Sequence, residues 1–238
     1  MVHNTRAIVL HKTNYSESSL VVQVYSLNLG KISLIIYGAK KKKSRNKSAL
    51  FEPLSILEIA GNFSNTDKLI RPSEVKVFTP LIQIQNSIGK RLIALFLAEV
   101  VHKSIKETIP DADLYMFMER SLLYLENSVR NVANFHLVFL LELSKFLGFS
   151  PLRSNGDFFN LSEGCFTNSI PNSSVYLRED EKSIFHALLG INIDKCHELK
   201  ISSAQRKLAL KNILEYYKIH NIGMGEIKSH LILETIFV

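Results

Sequence analysis

SLVVQVYSLNLGKISLIIYGAKKKKSRNKSAL, residues 19–50, decides how the first third of this chain is read. Leu20, Val22 and Val24 alternate with Val21, Gln23 and Tyr25, the period of two that marks a strand with two different faces. Asn28 to Gly30 supplies a turn, and KISLIIYG, residues 31–38, reads as the returning strand of a hairpin. The next stretch puts Lys40, Lys41, Lys42, Lys43, Arg45 and Lys47 into positions 40–47. Six like charges so close together are not packed into a core, because each would lose its hydration without gaining a partner. The expectation is a basic loop projecting from a β scaffold.

The strand pattern extends on both sides. TRAIVLHKT (5–13) is a short apolar run with polar ends, and LFEPLSILEIA (50–60) and DKLIRPSEVKVF (67–78) complete a set of five strands. Pro53 and Pro72 each remove a ladder donor, which places them at strand starts, bulges or edges. Five short strands in the first eighty residues predict a small closed barrel of the OB-fold type. The pattern changes near Pro80. Helices are predicted over 88–108, 111–128, 133–151, 202–220 and 226–237. The middle one is apolar nearly all round and should be buried, and the fourth begins at a serine cap. Glu179, Asp180 and Glu181 suit a helix N-terminus, and Gly223 and Gly225 suit a hinge. The fold class predicted is therefore α+β in two domains: an OB-fold β-barrel over 1–79, then an all-α helical domain over 80–238. The stretch 152–180 is read as an irregular insertion with a short hairpin around Cys165.

The chain has 238 residues and a net charge of +7, to which the basic run contributes six positive charges. Clustered positive charge on the predicted barrel points to nucleic acid. Each phosphate neutralised on a single strand steepens log K against log salt by about 0.7, so a loop making several contacts binds in a strongly salt-dependent way. Arg6, Lys12, Lys31 and Arg71 extend the patch, and Tyr15, Tyr25 and Tyr37 are candidates for stacking on bases, although strand tyrosines serve equally as core. The plain alternative is a solvated loop with no binding role.

Nothing points to an enzyme. The eight histidines are scattered, Cys165 and Cys196 form no CxxC pair, and neither GxSxG nor a Walker A loop occurs. Two cysteines and no recognisable secretory signal predict reduced thiols in a cytoplasmic protein. The longest apolar run, around residues 92–101, is too short to span a membrane and contains Glu99.

Residues 6–44, RAIVLHKTNYSESSLVVQVYSLNLGKISLIIYGAKKKKS, resemble the N-terminal domain of the bacterial DNA repair family RecO. The match lies in a first strand ending in Leu-His, the Tyr-Ser-Glu-Ser-Ser segment, the hairpin closed at Gly30-Lys31, and the Gly-Ala-basic stretch ending in Ser. Phe51-Glu52-Pro53-Leu54, Leu147-Gly148-Phe149 and Lys228-Ser229-His230 resemble further family elements. The resemblance implies a non-enzymatic recombination mediator that binds single- and double-stranded DNA and anneals complementary strands. It implies work with RecR to load RecA onto DNA coated by single-strand-binding protein (SSB), contact with the acidic, Phe-ended SSB tail, and a place at the bacterial nucleoid. Many members carry a zinc set of two CxxC-like pairs. Here SNGDFFNLSEGCFT (154–167) keeps only Cys165. The expectation is no zinc, with Phe158, Phe159, Leu161 and Phe166 packing in its place. For the SSB tail, Lys90, Arg91, Lys103 and Lys106 are available cations that match no family motif. The DNA-binding residues expected are Lys40, Lys41, Lys42, Lys43, Arg45, Lys47, Arg6, Lys12, Lys31 and Tyr37. A different reading of the same features is an RNA-binding or translation-associated adaptor with a helical partner-binding domain. A third is a pure adaptor in which the loop only aids solubility.

Overall fold

Gly30 sets the geometry of the first hairpin. It sits at φ 66°, a left-handed conformation that favours glycine. Ser26 pairs with Gly30, leaving residues 27–29 as the loop. A three-residue loop closed by a left-handed residue is a standard hairpin solution. The computed structural model describes residues 3–39, 48–64, 66, 68–106, 109–172 and 175–234, so the basic run at 40–47 lies outside the described residues. The chain forms two compact units, Met1–Glu126 and Asn127–Val238. The boundary expected at 79/80 coincides with the change from strand to helix; the first compact unit runs on through three helices.

In the first unit β1 (His3–Asn14), β2 (Leu20–Ser26), β3 (Gly30–Ile36), β4 (Ile56–Gly61) and β5 (Glu74–Thr79) form an antiparallel sheet in the order β3-β2-β1-β4-β5. The N-terminal half of β1 pairs with β4, and β1 pairs along most of its length with β2. The β1–β2 register shifts between Val9 and His11, a bulge that bends the strand and raises its twist. The interior is a cluster of Ala7, Val9, Val22, Val24, Leu34 and Leu57 with their neighbours, all nearly inaccessible. Ile8, Leu10 and Tyr25 on the other face are buried as well, and α2 (Ile88–Ser104) packs on β1. Burial of both faces explains why these strands read as near-continuous apolar runs.

The five-stranded OB-like sheet followed by helices is as the sequence predicts, but the sheet does not close. A single parallel bridge, Leu34 with Ile70, spans the gap. In it Ile70 N–H donates to Ser33 O at 2.9 Å and Ile35 N–H donates to Ile70 O at 2.9 Å. Pro72 then has no N–H to continue the ladder. Ser73 N–H turns instead to Ala60 O at 2.8 Å, and its hydroxyl to the same carbonyl at 3.0 Å. Two strands are also shorter than expected. Residues 50–55 form a tight turn, with Leu54 at φ 62° and Leu54 N–H donating to Val9 O at 2.8 Å. The turn packs the buried Phe51 into the core. β5 starts only at Glu74, beyond Pro72.

Short α1 (Ile82–Asn86), which the sequence pattern does not reveal, precedes α2, and α3 (Ala112–Asn127) follows. The Glu126 carboxylate receives the Gln83 and Ile84 N–H groups at 2.7 and 2.9 Å, occupying donors that a helix start leaves free.

In the second unit α4 (Phe135–Phe146) is the central helix, with nine of its residues buried. It ends where Gly148 takes φ 80°. The insertion is more ordered than expected. β6 (Phe158–Asn160), β7 (Cys165–Thr167) and β8 (Tyr176–Arg178) form a sheet in the order β7-β6-β8. The hairpin around Cys165 is present, and β8 leads directly into α5 (Glu179–Leu189) with its acidic first turn. A 3-10 turn (Ile193–Lys195) comes next. α6 (Ser203–His220) carries a full capping box between Ser202 and Gln205. Gly223 and Gly225, both at positive φ, lead to α7 (His230–Glu234); the sequence predicts the last helix from residue 226, but residues 226–229 are not helical.

Candidate nucleic-acid interface

The described chain leaves the sheet at Ala39, fully buried, one residue after Gly38 turns at φ 70°. It returns at Ser48, three residues before Phe51 plugs the core. Both ends of the basic run are thus fixed to the β3 side of the open sheet. Lys40, Lys41, Lys42, Lys43, Arg45 and Lys47 are themselves outside the described residues.

The four remaining expected residues fall into different settings. The Tyr37 ring is 53% exposed, and the Arg71 guanidinium stands 5.4 Å from its centre, a cation–π arrangement. Lys12 lies beside the Glu52 carboxylate at 2.6 Å in a partly exposed pair. Arg6 donates to both carboxylate oxygens of the buried Glu119 at 3.1 Å, and its guanidinium lies 5.1 Å from the Phe78 ring and 5.6 Å from the Tyr115 ring. Lys31 donates to His102 O at 2.5 Å and Ile105 O at 2.7 Å. It thereby satisfies carbonyls at the negative end of α2. Burial holds its ammonium below the usual lysine range. Arg6 and Lys31 therefore have partners within the fold itself. Of the tyrosines, Tyr15 is exposed. Tyr25 is core, and its hydroxyl oxygen accepts from Asp111 N–H at 3.0 Å.

Beside Lys31 the rings of His11 and His102 stack at 4.7 Å. Burial first, then the charges of Lys31, His11 and Lys103, push His102 down to about 4. His102 is therefore neutral at neutral pH.

In the second unit Lys207, Lys211 and Lys218 of α6 border a groove of about 550 Å³ whose apolar lining includes Leu208, Leu214 and Ile227. Where the family resemblance implies a zinc set, Cys165 lies 3.7 Å from the Glu163 carboxylate, and burial first, then that charge, raise its thiol above its ordinary value. Among the described residues no three His, Cys, Asp or Glu side chains are grouped to share a metal ion. The space is apolar instead. Phe159, buried, lies 4.8 Å from Phe166 and 4.5 Å from Phe185, and Phe158 meets Tyr176 edge-on at 5.5 Å. Among the described residues no helix is long and apolar enough to cross a membrane.

An OB-like five-stranded sheet followed by a helical unit, with six cations in the sequence between Ala39 and Ser48, makes this an α+β protein of the OB-like class. Comparison with known proteins agrees with this order of parts. The family model for the recombination protein O N terminal matches residues 1–81, and that for its C terminal matches residues 85–230. The chain is 37% identical over 236 residues to the DNA repair protein RecO of Flavobacterium psychrophilum, covering 98% of each chain. It is 33% identical to those of Azobacteroides pseudotrichonymphae, over 240 residues, and Bacteroides fragilis, over 241, covering the whole of each chain. The chain belongs to the RecO family, whose role is in DNA repair and recombination.

Proposed function

We propose that this protein is a non-catalytic recombination mediator that holds single- and double-stranded DNA through its basic segment. The observation that carries this reading is six positive charges in residues 40–47, tethered at both ends to the β3 side of the sheet. Cations at this density offset the repulsion between two phosphate backbones, so complementary strands meet and anneal without nucleotide hydrolysis. Tyr37 and Arg71 flank the base of the segment and add a ring and a charge. With RecR, the mediator helps RecA replace SSB on the strand, and it works at the nucleoid. The groove bordered by Lys207, Lys211 and Lys218 supports contact with the SSB tail: it sets cations beside an apolar floor, and of its two carboxylates, Glu215 and Glu226, the first is paired with Lys218 at 3.5 Å.

Annealing of complementary DNA coated with the cognate SSB tests both halves of the proposal. The protein should accelerate annealing of coated strands, and removing the SSB tail should abolish most of the acceleration. Equal annealing rates with and without the protein, on both naked and coated strands, would exclude the role.

A further inference from the structure

We infer that the open seam of the sheet is a slot for one unpaired nucleobase, stacked on Tyr37 beside Arg71. This rests on the reading of the sheet as a DNA-binding unit and adds the part of the strand that enters it. The seam has a physical cause, since Pro72 cannot extend the β3 ladder beyond the Ile70 bridge. The resulting cavity measures about 230 Å³ and is lined by Ile36, Tyr37, Phe51, Arg71, Pro72 and Glu74, among others. That is below the ~300–1,000 Å³ of pockets that enclose a drug-sized ligand. It suits a flat ring better than a whole nucleotide.

The walls combine carbon with charge. Ile36, Tyr37, Phe51 and Pro72 line the cavity together with Arg71 and Glu74, whose carboxylate is paired with the Lys76 ammonium at 3.0 Å. Tyr37 presents an exposed ring with a guanidinium 5.4 Å from its centre, and both groups stack on bases of any sequence. In the sequence the cationic run begins three residues beyond Tyr37. Duplex DNA, whose bases are stacked on one another, reaches the lysines but not the slot.

The test compares an oligothymidylate with an abasic strand of the same length and charge, in anisotropy titrations on the full-length protein. Wild type should bind the base-bearing strand about tenfold more tightly, the order expected for one stacked base. Y37A should lose this preference, Y37F should keep it, and all three proteins should share one salt slope and one denaturation midpoint. Equal affinity of wild type for the two strands, or a preference that survives Y37A, overturns the slot while leaving the DNA reading intact. Binding of neither strand overturns both.

Discussion

At the scale of single residues, the buried pair Arg6–Glu119 decides more than its surface position in the sequence suggests. Glu119 is 6% exposed, and Arg6 covers both its oxygens. Removing the guanidinium strands a carboxylate away from water. Breaking such a pair from one side costs about 3–5 kcal/mol when it is fully buried; with the Arg6 side chain 30% open, R6A should lose about 2–3 kcal/mol. Urea denaturation should show this loss, and R6A/E119Q should recover part of it. An unchanged midpoint in R6A would exclude the structural role. The sequence displays the charge of Arg6 and Lys31 but not their partners, which lie 113 and more than 70 residues away. Sequence alone therefore does not show that both charges are engaged within the fold. The place of Tyr37 beside the basic run is local and visible in the sequence.

Two histidines make stability depend on pH. His136 of α4 is held at about 3 by burial and then by the Arg206 charge, and His102 at about 4. Both folded values lie below the unfolded value of about 6.5. The unfolded chain therefore binds protons first as pH falls, and the stabilisation, complete above about 6.5, is lost toward pH 4 and 3. For His136 this amounts to on the order of 1 kcal/mol per pH unit inside that window. The denaturation midpoint should fall between pH 7 and pH 5, with a shallower fall in H136L. A midpoint that is flat across this range in wild type would contradict the assignment.

At the scale of elements, periodicity located what local sequence controls. The hairpin β2–β3, the buried helix α4 and the capped start of α6 follow from alternation, all-round apolarity and a serine cap. The starts of β4 and β5 did not follow, because Phe51, Leu54 and Ile70 are apolar for reasons of tertiary packing rather than strand period. In the insertion, aromatic residues written as expected filler build a three-stranded sheet whose centre is Phe159. The insertion should then be independent of metal. Purified protein should contain far less than one zinc per chain, and a chelator should leave its denaturation midpoint in place. F159A should destabilise it by about 3–5 kcal/mol. Stoichiometric zinc, or unfolding by chelator, would overturn this account of the element.

At the scale of the whole molecule, the α+β order and the cationic segment were legible from charge clustering and strand spacing. Closure of the sheet was not. A closed barrel and an open one share the same strand count, and the difference rests on one proline after one bridging residue. The opening lies on the same side of the sheet as the attachment points of the basic run, which joins the two features into one candidate surface. The central claim is that this run neutralises nucleic-acid phosphates. The most direct measurement is the affinity for a single-stranded oligonucleotide across a series of salt concentrations, for wild type and for the variant with Lys40, Lys41, Lys42 and Lys43 all replaced by Ala. The variant should bind more weakly, and its slope of log K against log salt should be shallower by up to about 3, some 0.7 for each lost contact. Equal affinity and equal slope in a variant with an unchanged denaturation midpoint would contradict the claim.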